Sequence, residues 1–340
     1  MEPFYFFASV SRCSDLFKRP FEVAMLDRDQ WRVADLVVGQ VIGRHGPLYR
    51  CETVTGRMAE LVAGDRVVGA FGERAATLEG VGRWQEIAAD SEMVALTGAG
   101  LFGRATSISP LMPPFMRLRY LGHAVRDGEA LNMADFVASA PEAGPPVPIV
   151  LVIGTSMSAG KTSGARVIIR ELRSLGMRVA AAKVTGAARY RDILSFRDAG
   201  AAAIHDFVDE GLPSTVCPAE LYAPALDRML TRIAAGGPDV AVIEAGASPL
   251  EPYNGDIALQ RILPQTRMTL LCASDPYAVV GVQTAYGLRP DLVAGPATDT
   301  TAAVELVQRL AGLPALNLLA SNARPELRRI LAACFGIPTG

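Results

Sequence analysis

The segment from Val147 to Leu175 constrains this 340-residue chain more than any other. "VPIVLVIG" is a short apolar, β-branched run of the kind that forms a buried parallel strand. It leads into "GTSMSAGKTS", residues 154 to 163, after which Ala165, Ile168, Ile169, Leu172 and Leu175 recur at helical spacing until Gly176 stops the helix. A strand, a small-residue loop and a helix N-terminus aim backbone N–H groups and the positive end of the helix dipole at one point, which suits a polyphosphate. The strict phosphate-loop pattern G-x-x-x-x-G-K-[ST] asks for glycine at position 155. This chain has Thr155 there, with five residues between Gly154 and Gly160. A literal pattern search rejects the loop, and its context on both sides favours it.

On that reading Gly154, Thr155, Ser156, Ser158, Ala159, Gly160, Lys161, Thr162 and Ser163 form the cradle. Lys161, expected as a solvent-facing charge in a preformed loop, reaches the β- and γ-phosphates, and Thr162 offers its hydroxyl to Mg²⁺. Residue usage supports this. Of 33 Lys and Arg residues only Lys18, Lys161 and Lys183 are lysine, so two of the three fall in candidate sites. A compact ammonium differs chemically from the planar guanidinium used elsewhere.

The chain is long enough for two domains with separate cores. A net charge of −2 and a pI near 6.0 provide no basic field for nucleic acid. The five cysteines are widely spaced, with no C-x-x-C pair, which reads as reduced thiols in a cytoplasmic protein. Apolar content is 50%, yet no apolar run reaches the ~18 residues needed to span a membrane. "MEPFYFFASVSRC" lacks a basic start and is read as part of the fold. The histidines His45, His123 and His205 show no catalytic or zinc spacing.

"SAPEAGPPVPI", residues 139 to 149, holds four prolines and a glycine and reads as a linker. It divides a β-rich domain, 1–140, from an α/β domain, 148–340, with 141–147 between them. The first half has short β-like runs, "RVADLVVGQVIG", "GDRVVGAFG", "SEMVALTG" and "FMRLRYLGHAV", that predict a small β-barrel or sandwich. "GERAATLEGVGR" reads as a hairpin. The second half predicts strands near 148–154, 179–184, 239–244, 268–273, 291–294 and 315–320, alternating with helices: a parallel sheet covered on both faces.

Ligands of such sheets sit beyond the carboxyl ends of the strands. There Lys183, Thr185, Glu244 and Asp275 are expected to face the phosphates. Glu244 ends the run "DVAVI" where a Mg²⁺-side acid belongs, although a surface glutamate would read the same way. Asp192 and Asp198, in "RYRDILSFRDAGA", are further metal ligands or helix caps, with Asp198 preferred. Lys183 would neutralise charge in phosphoryl transfer or hold an acidic substrate.

"GTSMSAGKT" resembles the dethiobiotin synthetase loop G-T-x-x-x-x-G-K-T, "AKVTG" that family's K-P-V-x-T-G, and "VIEAGASPLEP" its V-E-G-A-G-G-x-x-x-P. The resemblance implies a SIMIBI-class P-loop fold and an enzyme that uses ATP and Mg²⁺ to activate or phosphorylate a carboxylate, carbamate or amine. It makes Lys161, Lys183 and Thr185 catalytic, and Thr162, Asp198 and Glu244 metal-binding. The expected partners are a small-molecule substrate and a second copy in a homodimer; charge and apolar run length predict no nucleic acid or membrane partner. Ala245 replaces the first glycine of the third motif, and the β-rich half lies outside the resemblance. "EAGASPLEPYNGD" and "HDFVDEGLPSTV" also resemble an unknown-function family that includes a D-glutamate N-acetyltransferase, implying acyl transfer from acetyl-CoA bound at the loop. A nucleotide-regulated binding or metallochaperone module is the third alternative.

Overall fold

A computed structural model describes residues 4–43 and 49–337, so His45 lies outside the described residues. The chain forms two compact units. The first comprises Met1–Ser139, Gly186–Arg191 and Phe207–Leu226, and the second Ala140–Thr185, Asp192–Asp206 and Asp227–Gly340. Residues 186–191 and 207–226 cluster with the first unit, and the rest of the chain beyond residue 139 with the second. No helix among the described residues is long and apolar enough to cross a membrane.

In the first unit, strand pairing closes on itself. Leu36–Val41 pairs antiparallel with Arg66–Phe71 and with Met116–Arg126, and Met116–Arg126 pairs antiparallel with Glu92–Ala95. Glu92–Ala95 pairs with Leu101–Ile108, which returns in parallel to Arg66–Phe71. The ring is a five-stranded barrel, which removes the exposed edges a sheet would otherwise carry. Period-two patterning fills it: Met116, Leu118 and Tyr120 point inward between outward Arg117 and Arg119. Val37, Leu61, Val67, Phe71, Met93 and Phe102 complete the core. Glu73–Ala75 and Gly80–Arg83 pair antiparallel as the expected hairpin.

A polar chain crosses this core. Tyr120 Oη lies 2.5 Å from His123 Nδ1, and His123 Nε2 lies 3.1 Å from Asp35 Oδ2. Asp35 also accepts from Arg32 N at 2.7 Å and Asn132 Nδ2 at 2.8 Å. Those acceptor roles assign the proton to Nε2, which donates to Asp35, and leave Nδ1 to accept from the phenol. Burial pushes the Tyr120 phenol up to about 12, so it keeps its proton.

The second unit carries strands β1 (Ile149–Gly154), β2 (Val179–Thr185), β3 (Ala203–Asp206), β4 (Val240–Ala245), β5 (Thr266–Cys272) and β6 (Leu292–Ala294). They form one sheet in the order β3-β2-β4-β1-β5-β6, every pair parallel. β1, β2 and β4 are buried throughout, hence their unbroken apolar runs. Helix α1 (Lys161–Ser174) follows β1, α2 (Tyr190–Asp198) follows β2, and α3 (Ala219–Ala235) precedes β4. α4 (Gly255–Ile262), α5 (Pro276–Tyr286), α6 (Thr301–Ala311) and α7 (Arg324–Phe335) complete the helices. Five of the six expected strands form. Residues 315–320 do not, apart from an isolated bridge from Ala315 to Val293. Asn317 turns the chain there, its Oδ1 accepting from Leu319 N at 3.0 Å. The sixth strand is β3, four residues with no apolar run to announce it.

Tyr120→Phe leaves His123 Nδ1 buried without its donor and is expected to cost about 1–3 kcal/mol. A lowered urea midpoint at unchanged slope would register this, and an unaltered midpoint would show the chain to be dispensable.

Candidate functional site

Parallel strands deliver their loops to one edge, and here β1, β2, β4 and β5 end at Gly154, Thr185, Ala245 and Cys272. The loop after β1 turns into α1 at Gly160, whose φ of +86° belongs to the region that favours glycine. A Cβ on Gly154 would lie 2.7 Å from Lys161 Cδ and 2.8 Å from Cγ. The glycine therefore makes room for the lysine stem, and Lys161 is buried at 2% exposure instead of facing solvent. Its Nζ donates to Ser156 O at 2.5 Å. Burial pulls the Lys161 ammonium below its ordinary range, opposed by Glu244.

The position that departs from the strict loop pattern has a structural use. Thr155 N donates to Cys272 O at 3.1 Å, and Thr155 Oγ1 accepts from Ser274 N at 3.0 Å, tying the loop to β5. Glycine would lack the second bond. Ser156 and Ala159 are buried in the loop, while Ser158 and Ser163 are exposed.

Thr162 Oγ1 donates to Glu244 Oε2 at 3.0 Å. Glu244 is buried, which pushes its carboxyl upward. Lys183 draws it back most, Asp192 adds to the rise, and Lys161 and the Thr162 hydrogen bond lower it. Lys183 stands beside Glu244 in the β2–β4 register, and its Nζ donates to Asp192 Oδ2 at 2.5 Å. Thr185 is buried, and among the described residues its Oγ1 has no hydrogen-bond partner. Gly246 N donates to Thr185 O at 3.0 Å, and a Cβ at 246 would sit 2.5 Å from Lys183 Cε. Glycine at 246 thus allows β2 and the turn after β4 to close on each other.

The structure brings Lys161, Thr162, Lys183, Thr185 and Glu244 to this edge. It does not bring Asp198, which is exposed at the last turn of α2. That helix runs away from the edge, so Asp198 lies six residues, ~9 Å, further down it than Asp192. The aspartate beside the lysine is Asp192. Asp275, also expected to face the phosphates, spends its carboxylate on Tyr277 N and Ala278 N as the cap of α5. Sequence reasoning missed Gly295, whose φ is +83° and whose added Cβ would strike the Ala159 carbonyl. The Gly-Pro pair after β6 was the available signal. Also missed was a cavity of about 170 Å³ beside Gly160 and Ser163, walled by Gly295, Asp299, Asn317 and Leu318.

The residues fit a metal–nucleotide group. The buried, unspent Thr185 hydroxyl and the glycine-lined cradle are features that a bound group would use. Among the described residues no cluster of three or more His, Cys, Asp or Glu could hold a metal alone. Mg²⁺ with a nucleotide needs only one or two protein ligands beside phosphate oxygens and water, and Thr162 and Glu244, 3.0 Å apart, are the side chains that would serve.

No family model matches the chain, and no curated protein matches it. Among solved structures it is similar to a DUF1611 family protein from Anabaena variabilis at 16% identity and a TM-score of 0.39, covering 57% of this chain and 63% of that one. It is similar to the signal recognition particle receptor FtsY from Elizabethkingia anophelis at 12% identity and a TM-score of 0.40, covering 62% and 76%. It is also similar to the hydrogenase maturation factor HypB from Archaeoglobus fulgidus at 13% identity and a TM-score of 0.39, covering 56% and 91%. The chain thus spans less than two thirds of the first of these.

Gly246→Ala is expected to destabilise by about 1–3 kcal/mol, since the methyl meets backbone and the Lys183 stem. Gly281→Ala, in α5 with nothing within 4 Å of its added Cβ, is expected to stabilise by about 0.5–1 kcal/mol. Paired denaturation curves check both signs.

Proposed function

We propose that the chain binds a Mg²⁺–nucleoside triphosphate at residues 154–163 and uses it to phosphorylate or activate a carboxylate, carbamate or amine of a small molecule. The observation that carries the proposal is the alignment beside the loop of Thr162, Glu244, the Lys183–Asp192 pair and the unspent Thr185 hydroxyl. The nucleotide supplies the phosphoryl group. Loop N–H groups and Lys161 hold its phosphates, and exchange of Lys161 from the Ser156 carbonyl to phosphate restores a stronger, charge-assisted partner. Thr162 and Glu244 hold the metal. Lys183, paired with Asp192 and set beside Glu244, stabilises negative charge on the transferred group, and Thr185 orients the acceptor.

The cavity beside the loop suits the base. Asn317 spends its amide on Asp299 O at 3.3 Å and on Leu319 N. Asp299 is exposed, and its carboxylate has no partner among the described residues, leaving an acceptor for base N–H groups.

Calorimetric titration with Mg²⁺–ATP, Mg²⁺–GTP and acetyl-CoA tests the proposal. Lys161→Met, which keeps the stem volume over Gly154, is expected to abolish nucleotide binding while leaving the thermal melt in place. Tight acetyl-CoA binding without nucleotide binding would replace phosphoryl transfer with acyl transfer. Lys183→Arg is expected to retain nucleotide affinity and lose turnover on the order of 10²-fold, about 2.7 kcal/mol. Turnover near the parent value would remove Lys183 from the chemistry.

A further inference from the structure

The first unit contains a cavity of about 240 Å³ whose lining includes three arginines, Arg50, Arg189 and Arg191. The acid in the same wall, Glu52, is already committed. It is buried, with Oε1 accepting from Ser9 Oγ at 2.5 Å and Tyr190 N at 2.6 Å, and Oε2 accepting from Arg191 N at 3.2 Å. Its charge thus anchors the backbone that carries Arg189 and Arg191 and caps the first N–H groups of α2. Arg50 has an exposed ion pair with Glu60 at 3.2 Å, a weak and screened interaction. Among the described residues no carboxylate lies within ion-pair distance of Arg189 or Arg191. Two other arginines of this unit are matched: Arg104 meets both oxygens of Asp90, and Arg117 both oxygens of Glu92.

Three like charges around one cavity repel one another, and a bound anion reverses the sign of that energy. Guanidinium forks match carboxylate and phosphate oxygens in bidentate geometry. The volume lies below the range of drug-sized pockets, which selects a small molecule. Met58 and Ala99 add an apolar wall for a short hydrocarbon stem.

We infer that the Arg50–Arg189–Arg191 cavity is a binding site for a small doubly charged oxyanion, a dicarboxylate or a phosphate. The inference stands on the first unit alone and does not depend on the nucleotide reading. It gives the segment after Lys183 a role: Arg189 and Arg191 hold a ligand's negative groups, and the next residue, Asp192, holds the lysine.

The test is calorimetric titration of the full chain at low ionic strength with succinate and, separately, with inorganic phosphate. One of the two is expected to bind saturably, and the preferred one identifies the source of the oxyanion. Arg189→Gln/Arg191→Gln is expected to weaken that binding on the order of tenfold or more. Arg104→Gln is expected to leave it unchanged, with thermal melts of all proteins alike. Arg50→Gln provides an independent second removal. Failure of both probes to saturate at millimolar concentration would overturn the inference. So would undiminished binding in the double variant. Phosphate binding that disappears in Lys161→Met but survives in the double variant would belong to the 154–163 loop and would overturn it equally.

Discussion

Charge buried at the edge of a parallel sheet has to be matched within the protein, and the candidate site is built around that requirement. An isolated ammonium or carboxylate taken from water costs several kcal/mol. Here Lys161, Lys183, Glu244 and Asp192 share one neighbourhood, so each charge has an opposite within reach. The β2–β4 register supplies the central contact by setting Lys183 beside Glu244. The small residues follow from it. Gly154 yields space to the Lys161 stem, and Gly246 yields space to Lys183 and the Thr185 carbonyl.

Residues whose position depends on the end of a strand were legible in sequence. Lys161, Thr162, Lys183, Thr185 and Glu244 each follow or close an apolar run or open a helix, and a parallel sheet brings such positions together. The preference for Asp198 over Asp192 turned on which end of α2 meets the edge, which requires knowing where that helix begins; residue spacing alone does not give that. Thr155 was an apparent defect in a pattern because its partner, Ser274, is distant in sequence. β3 was illegible because it has four residues and no apolar run. Residues 315–320 misled because "ALNLLA" is apolar, while its single asparagine decides the turn.

The first unit shows the same limit. Its individual strands follow from alternation, and its hairpin from turn chemistry. Closure rests on a two-residue parallel pairing of Leu101 and Phe102 with Ala70 and Phe71, a non-local contact with no signature in either segment. The return of residues 186–191 and 207–226 to this unit was equally hidden. Both stretches lie within the half read as α/β, yet Phe207, Val208 and Leu212 are buried and Glu52 is capped by N–H groups from beyond residue 189.

That return has a consequence for how the protein is made. A ribosome releases the barrel strands by residue 126, but the parts of the same unit are not all present until residue 226. At ~5–20 residues per second the interval from residue 139 to 226 lasts about 4 to 17 s. For the first ~3 to 10 s of it, until residues 190 and 191 are added, the nascent barrel carries Glu52 without the backbone donors that later pair with it. Completion of the first unit is therefore a late event of synthesis, coupled to emergence of the strand and helix that bear Lys183 and Asp192.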